Sequence, residues 1–161
     1  MSSFENWLEQ KPSPFQTILI LLSLILLSLI TYLSLGTIIN YPFGWNGLVN
    51  ITPYTTMIIA KNAFGEEVIF RFIPFFAILK IINKKSVIFY LFVLAMSLIF
   101  AYLHIGLPSL IALGPIGLML SISYLKFGGY RNNHLRAFLL TGAGHTLINF
   151  SLYYIGSIIT T

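Results

Sequence analysis

The chain has 161 residues, a formal net charge of +5 and no cysteine. With 57% apolar residues, 8% charged residues and a mean hydropathy of +0.89, it has too little polar surface to coat a soluble globule, which predicts a membrane protein. The composition excludes disulfides, thiolate metal sites and thiol nucleophiles, and nucleic acid is not an expected partner, because Lys and Arg occur in short clusters beside apolar runs.

The predicted elements are apolar helices joined by short loops. Residues 1–13 carry Phe4, Trp7 and Leu8 at helical spacing among charged residues, which is typical of a short interfacial helix. The rest, 14–161, is one membrane helix-bundle domain. Its predicted helices cover 15–39, 55–82, 86–104, 108–127 and 134–159, with a bend at Gly114-Pro115 in the fourth. The predicted fold is an all-α, polytopic transmembrane helix bundle with about five spans.

Charge alternates along the connecting loops. The loops at 80–85 and 126–136 are basic, whereas 40–54 and 105–107 carry no charge, and the first of these uncharged loops holds aromatic residues that suit the headgroup layer. Because basic loops stay in the cytoplasm, we expect the N-terminus and both basic loops to be cytoplasmic and the C-terminus to lie outside. The expected location is the bacterial cytoplasmic membrane.

The acidic residues are unusually placed. All four are glutamates, and two of them are the adjacent pair Glu66 and Glu67 within the second predicted helix. Each carboxylate inside a spanning helix costs roughly 2.5–3.5 kcal/mol on insertion scales, so both need partners. Arg71 follows Glu67 by one helical turn, in the favourable order for an ion pair. Glu66 is rotated by about 100° from Glu67, so Arg71 serves it poorly and another partner is expected.

Strongly polar groups in the other predicted helices are few. His104 ends the third helix, and His145 and Asn149 are four residues apart on one face of the fifth. A bundle could bring a carboxylate, two imidazoles and an amide into one protected pocket. A carboxylate removed from water is a better base, and imidazole and amide N–H groups can stabilise an oxyanion, so this set suits peptide hydrolysis. Purely interhelical hydrogen bonding by the same side chains stays open.

Three segments of the chain resemble the three motifs of the CPBP intramembrane proteases. That family includes the CAAX prenyl endopeptidases and proteins linked to bacteriocin processing or self-immunity. The segments occur in the family's order on three different predicted helices, and the resemblance covers about residues 55–155. They are Glu66-Glu67-Val-Ile-Phe-Arg71, Phe100-Ala-Tyr-Leu-His104 and His145-Thr-Leu-Ile-Asn149.

The resemblance implies a role for each motif residue. Glu66 and His104 would activate water, His145 and Asn149 would donate hydrogen bonds to the oxyanion, and the ion pair of Glu67 would be structural. Phe100 is expected to pack beneath His104 without a chemical role.

The function that this resemblance implies is an intramembrane endopeptidase acting on a membrane-associated or lipid-modified peptide. Phe72 stands where the family usually has Gly, and a single helix precedes the core, so a prenylated substrate is not carried over. One alternative is a non-catalytic membrane protein of the same fold, with a bacteriocin self-immunity or scaffold role. A proton-coupled transporter is less favoured, because the chain shows no internal repeat.

The expected partners are membrane lipid and a peptide or protein substrate at the membrane. We favour a mechanism without a cofactor, because the chain lacks the HExxH helix that pairs zinc ligands with a base. A bound Zn2+ is the alternative, and its ligands would be Glu66, His104 and His145.

Overall fold

The structure is a computed structural model that describes residues 3–38 and 52–159. Within these ranges the chain is helical and has no strand. Most of the predicted 40–54 loop lies outside the described residues, with the aromatic residues Tyr41, Phe43 and Trp45, whereas Tyr54 lies in a helix. The helices, in chain order, are α1 (Ser3–Glu9), α2 (Pro14–Ile38), α3 (Pro53–Glu67), α4 (Ile73–Ile81), α5 (Val87–Ile105), α6 (Leu107–Phe127) and α7 (His134–Ile159).

Three of these helices are long and apolar enough to cross a membrane. Their candidate spans are Pro14–Ser34, Val87–His104 and Leu107–Arg131, which correspond to α2, α5 and α6. The segment from α3 to α4 and the helix α7 carry the other predicted site residues, whereas His104 lies on α5. The all-α membrane fold is therefore confirmed, whereas the figure of about five spans exceeds the three that length and composition show.

The second predicted helix, 55–82, is interrupted. It begins at Pro53 behind a capping box, in which Thr52 accepts a hydrogen bond from the Thr55 amide at 3.1 Å and Thr55 accepts one from the Thr52 amide at 2.8 Å. One π-helical turn, Val68–Phe72, then separates α3 from α4. Pro74 follows this turn and has no N–H to continue an α-helical ladder, which gives a reason for the wider turn.

The hairpin of α5 and α6 is closely packed. Gly106 makes the turn with φ of +77°, a conformation that favours glycine. At Gly117 an added Cβ would lie 2.9 Å from the Ser97 carbonyl oxygen, so the two backbones approach within the space of one side chain. The hydroxyls of Ser97 and Ser121 meet across this contact at 3.1 Å. Small residues thus bring the Phe100 side of α5 close to α6.

Helix α7 fits against α2 and α3 through two glycines. A Cβ at Gly142 would overlap the ring of Phe64 on α3, and a Cβ at Gly144 would lie 3.0 Å from Leu21 on α2. Gly142 and Gly144 are therefore close-packing positions of α7. The contact also brings the middle of α7 beside the end of α3.

The short helix α1 is bound to the basic end of the bundle. The ammonium of Lys126 donates to the carbonyl of Trp7, and Arg131 donates to the carbonyl of Leu8 at 2.7 Å, so cations satisfy free carbonyls at the end of α1. Lys84, in the other basic loop, donates to the carbonyl of Tyr130 at 3.2 Å. The N-terminal segment and both basic loops therefore lie at one end, as predicted; which side of the membrane they face remains a prediction.

Candidate active site

Glu67 and Arg71 form the predicted ion pair. Nη1 of Arg71 donates to Oε1 of Glu67 at 2.8 Å, and both side chains are fully buried. The second arm of the guanidinium donates to the carbonyl of Gly117 on α6 at 3.2 Å. The pair therefore also links the π-helical turn to the α5–α6 hairpin, which the sequence spacing does not reveal.

Glu66 lies between the two predicted histidines. Its Oε2 is 3.9 Å from Nε2 of His104 and 3.5 Å from Nε2 of His145. The three residues come from α3, α5 and α7, so the fold brings residues from three separate motifs to one carboxylate oxygen. The predicted convergence of these three side chains is observed.

A further contact joins the two glutamates through one ring. Nδ1 of His145 lies 2.8 Å from Oε1 of Glu67, the same oxygen that accepts from Arg71. Sequence reasoning gave Glu67 a structural ion pair alone, and this contact gives it a second role beside the site. The signal was absent from the sequence, since it depends on how α7 is rotated against α3.

Asn149 follows His145 by one turn on α7 and is partly buried. In the described ranges, no hydrogen bond joins its amide to Glu66 or to either histidine. Its place on the same face of the helix agrees with the predicted arrangement. Its joining of the cluster stays a prediction.

Phe100 packs against the polar residues, as expected. Its ring centroid lies 4.7 Å from that of His104 and 5.8 Å from that of His145. The guanidinium carbon of Arg71 lies 4.5 Å from the same centroid, within the range of a cation–π contact. One buried aromatic ring therefore contacts both imidazoles and the ion pair, and it limits how far any of them can move.

The site has a buried side and an open side. The side chains of Glu66 and His104 are 29% and 34% exposed, whereas that of His145 is 4% exposed. The Glu67 ion pair lies behind His145 and is closed off. The site is therefore open beside Glu66 and His104, although Oε2 of Glu66 itself is buried, and the residues behind them hold the arrangement in place.

Hydrogen bonding defines which nitrogens face Glu66. Nδ1 of His104 lies 2.8 Å from the carbonyl of Phe100, and a carbonyl can only accept. The ion-paired carboxylate of Glu67 likewise accepts from Nδ1 of His145. Each neutral ring therefore carries its proton on Nδ1 and turns the lone pair of Nε2 toward Glu66.

The same three side chains are the zinc ligands that the sequence left open. Across residues 3–38 and 52–159, no group of three or more His and acidic side chains has the spacing of a metal site. Oε2 of Glu66 is itself buried and has no hydrogen-bond partner, and it lies 3.9 Å from Nε2 of His104 and 3.5 Å from Nε2 of His145.

Fold and site together define the class of protein: a helical membrane protein that gathers ionisable side chains from three helices around adjacent glutamates. A family model, the type II CAAX prenyl endopeptidase Rce1-like model, matches residues 48–151, and the chain belongs to this Rce1-like family. It thus has the CAAX-type intramembrane protease fold, as the resemblance of its motifs implies. Searches of curated proteins and of solved structures find no match.

Proposed function

We propose that this protein is an intramembrane endopeptidase that hydrolyses a peptide bond of a membrane-associated or lipid-modified substrate. The observation that carries the proposal is the meeting of Glu66, His104 and His145 at Oε2 of Glu66, a buried oxygen without a hydrogen-bond partner in a side chain that is 29% exposed. A structural role alone would not require two imidazole lone pairs to face the same partly exposed carboxylate.

Water activation would take place between Glu66 and His104. Their polar atoms are 3.9 Å apart, too far for a direct hydrogen bond and close enough for one water molecule to bridge. Such a water donates one hydrogen to the Glu66 carboxylate and the other to Nε2 of His104, which leaves an oxygen lone pair free for attack. Two acceptors of fixed direction thereby orient the nucleophile.

Proton transfer to Glu66 accompanies attack of the water oxygen on the scissile carbonyl carbon. The carbonyl oxygen becomes an oxyanion in the tetrahedral intermediate, and the amide N–H of Asn149 donates to it. Glu66 then passes its proton to the leaving nitrogen as the C–N bond breaks. The products are a carboxylic acid and an amine, and Glu66 is again a carboxylate.

His145 assists the oxyanion only in one protonation state. Because the Nδ1–H of His145 donates its hydrogen bond to Glu67, Nε2 can donate to the oxyanion only when the ring carries both protons. In that form the positive charge lies between the carboxylates of Glu66 and Glu67. We assign Glu67 the task of orienting His145 in addition to neutralising Arg71.

Comparative peptidomics of membranes tests the function. Membranes with wild-type protein should contain cleaved peptides that are missing when Glu66→Gln replaces it at equal abundance. A Lys85→Gln variant, altered in an exposed loop distant from the motif residues, is the matched control and should give the wild-type pattern. Identical peptide sets from wild type and Glu66→Gln would favour the non-catalytic alternative, a membrane protein that keeps the fold for an immunity or scaffold role.

A further inference from the structure

Thr141 on α7 has a buried hydroxyl that bonds to no other group of the described residues. The residue is fully buried, and its Oγ1 has no hydrogen-bond partner. A hydroxyl inside a helix commonly donates to the carbonyl four residues earlier. Thr146 does so, because its Oγ1 donates to the carbonyl of Gly142 at 2.8 Å, and Ser151 makes the same kind of bond at 2.9 Å. The hydroxyl of Thr141 therefore forgoes the usual bond within its own helix.

Thr141 lies beside the buried ion pair of the site. One turn later on α7, Nδ1 of His145 lies 2.8 Å from Oε1 of Glu67. Three residues earlier, the ring of Phe138 packs against that of Phe72, the last residue of the π-helical turn that carries the arginine, with centroids 5.5 Å apart. Residues 138, 141 and 145 share one face of α7. Because the residues on either side of it contact both ends of the ion-paired segment, Thr141 faces the ion pair.

The ion pair itself has two polar atoms without a partner. Oε2 of Glu67 and Nε of Arg71 are buried and make no hydrogen bond within the described ranges. With Oγ1 of Thr141 they provide one acceptor, one N–H donor and one hydroxyl that can donate or accept. A water molecule can donate two hydrogen bonds and accept two, so it complements this set. A bound ion is disfavoured, because the charges of the carboxylate and the guanidinium already cancel.

We propose that a buried water molecule binds between Thr141, Glu67 and Arg71, and that Thr141 is a positioning residue for His145. The water accepts from the Thr141 hydroxyl and from Nε–H of Arg71, and it donates to Oε2 of Glu67. With Oε2 held in this way, the carboxylate cannot rotate, and Oε1 stays directed at Nδ1 of His145. The water site stands without the proposed function, whereas its effect on cleavage rests on that function.

A crystal structure of the full-length protein in a lipidic mesophase tests the water site directly. In wild type, electron density for a water should lie within about 3.2 Å of all three polar atoms. Thr141→Val replaces the hydroxyl by a methyl group of similar size, and the density should disappear. The unfolding temperature in detergent adds a test with a defined sign. Replacing an unpaired buried hydroxyl by a methyl should raise this temperature, whereas loss of a bound water that pairs the three atoms should lower it.

Nitrogen-15 NMR of histidine-labelled protein tests the positioning of the ring. The chain has three histidines, and the signals of His145 are those missing from His145→Gln protein. The nitrogen chemical shifts distinguish a ring protonated on Nδ1 from one protonated on Nε2. Wild type and Thr141→Ser, which keeps the hydroxyl, should show the Nδ1–H form alone, and Thr141→Val should show a mixture of both forms. Thr146→Val, which removes a hydroxyl that bonds within α7, is the matched control and should match wild type.

Cleavage should follow the same order as the NMR spectra. The test peptides are those found in wild-type membranes and missing from Glu66→Gln membranes. At equal protein abundance, Thr141→Val should form about tenfold less of them, the scale of a lost hydrogen bond to a charged group. Thr141→Ser and Thr146→Val should form wild-type amounts.

The outcomes separate the water site, the positioning role and the proposed function. If wild type forms no such peptides, the peptidase is overturned, and the electron density and the NMR spectra still decide the water site and the ring position. A single Nδ1–H form together with wild-type cleavage in Thr141→Val would overturn the positioning role. A higher unfolding temperature for Thr141→Val would overturn the water site, as would the absence of water density in wild type, which decides the matter even if Thr141→Val does not fold.

Discussion

His145 donates from Nδ1 to the same Glu67 oxygen that accepts from Arg71, at 2.8 Å in each case. The carboxylate of Glu67 is therefore shared between an ion pair that holds the fold and a ring that faces the reactive side of the site. Glu66, one residue earlier, faces the accessible side. The adjacent glutamates thus differ in burial and in partners, and their substitution should separate stability from chemistry.

Replacing Glu66 by Gln should abolish chemistry and spare the fold. The amide keeps the size of the side chain and can still hydrogen-bond, but it cannot accept the proton of water. Loss of a general base typically costs about 100-fold or more in rate. We expect cleavage to fall by at least about 100-fold with wild-type folded yield in detergent. Normal cleavage by this variant would show that Glu66 is not the base.

Replacing Glu67 by Gln should damage the fold. The change leaves the fully buried guanidinium of Arg71 without its carboxylate. An uncompensated buried charge typically costs about 3–5 kcal/mol, which can remove most of the folded population of a marginally stable protein. Folded yield and thermal unfolding in detergent measure the effect. Wild-type stability in this variant would contradict the assigned ion pair.

Combining Glu67→Gln with Arg71→Gln should separate the two roles of Glu67. No lone charge remains, so part of the folded yield should return. Cleavage by the recovered protein should stay low, because His145 has lost the carboxylate that oriented it. If the cleavage rate recovers together with the folded yield, Glu67 has a structural role only and does not orient His145. The cleavage rate is compared per mole of folded protein. The pH profile of cleavage should also differ from that of wild type, and a loss of folded protein alone would not change that profile.

Much of the helical layout could be predicted from the sequence. The predicted ends of the third and fourth helices lie within one residue of those of α5 and α6, because long apolar runs are bounded there by Ser86, Gly106 and Gly128. The Glu67 ion pair followed from i,i+4 spacing alone. Local sequence is therefore sufficient to predict helix ends and side-chain contacts within a single helix.

Features that depend on packing between helices could not be predicted. The Glu67–His145 contact depends on the rotation of α7, which is set where Gly142 meets the ring of Phe64. The motif order predicted the three-helix meeting at Glu66, but not which glutamate would contact Nδ1 of His145. The π-helical turn was also missed, since periodicity over a long apolar run does not distinguish it from α-helix.

Gly117→Ala should destabilise the bundle. The new Cβ would lie 2.9 Å from both the Ser97 carbonyl oxygen and the ring of Phe100, so α5 and α6 must separate. Overpacking of this kind typically costs about 1–3 kcal/mol. The matched control is Gly114→Ala, whose nearest neighbour is a Leu98 methyl at 3.8 Å, and which should unfold at the same or a higher temperature. Equal melting temperatures for the two variants would contradict the close helix contact.

Single cysteines should decide how many helices cross the membrane, since the chain has no cysteine of its own. If the α3–α4 segment and α7 both cross, Lys11→Cys and Lys85→Cys share the cytoplasmic side and Thr161→Cys lies outside. If only α2, α5 and α6 cross, Lys11 and Lys85 lie on opposite sides. The bonds from Lys126 to Trp7 and from Lys84 to Tyr130 place the N-terminal segment and both basic loops at one end of the bundle, which favours the first arrangement.

We therefore expect a membrane-impermeant maleimide to label Thr161→Cys in intact cells, and Lys11→Cys and Lys85→Cys only after permeabilisation. Labelling of Lys85→Cys and Thr161→Cys from the same side would contradict five spans, and labelling of Lys11→Cys in intact cells would reverse the orientation.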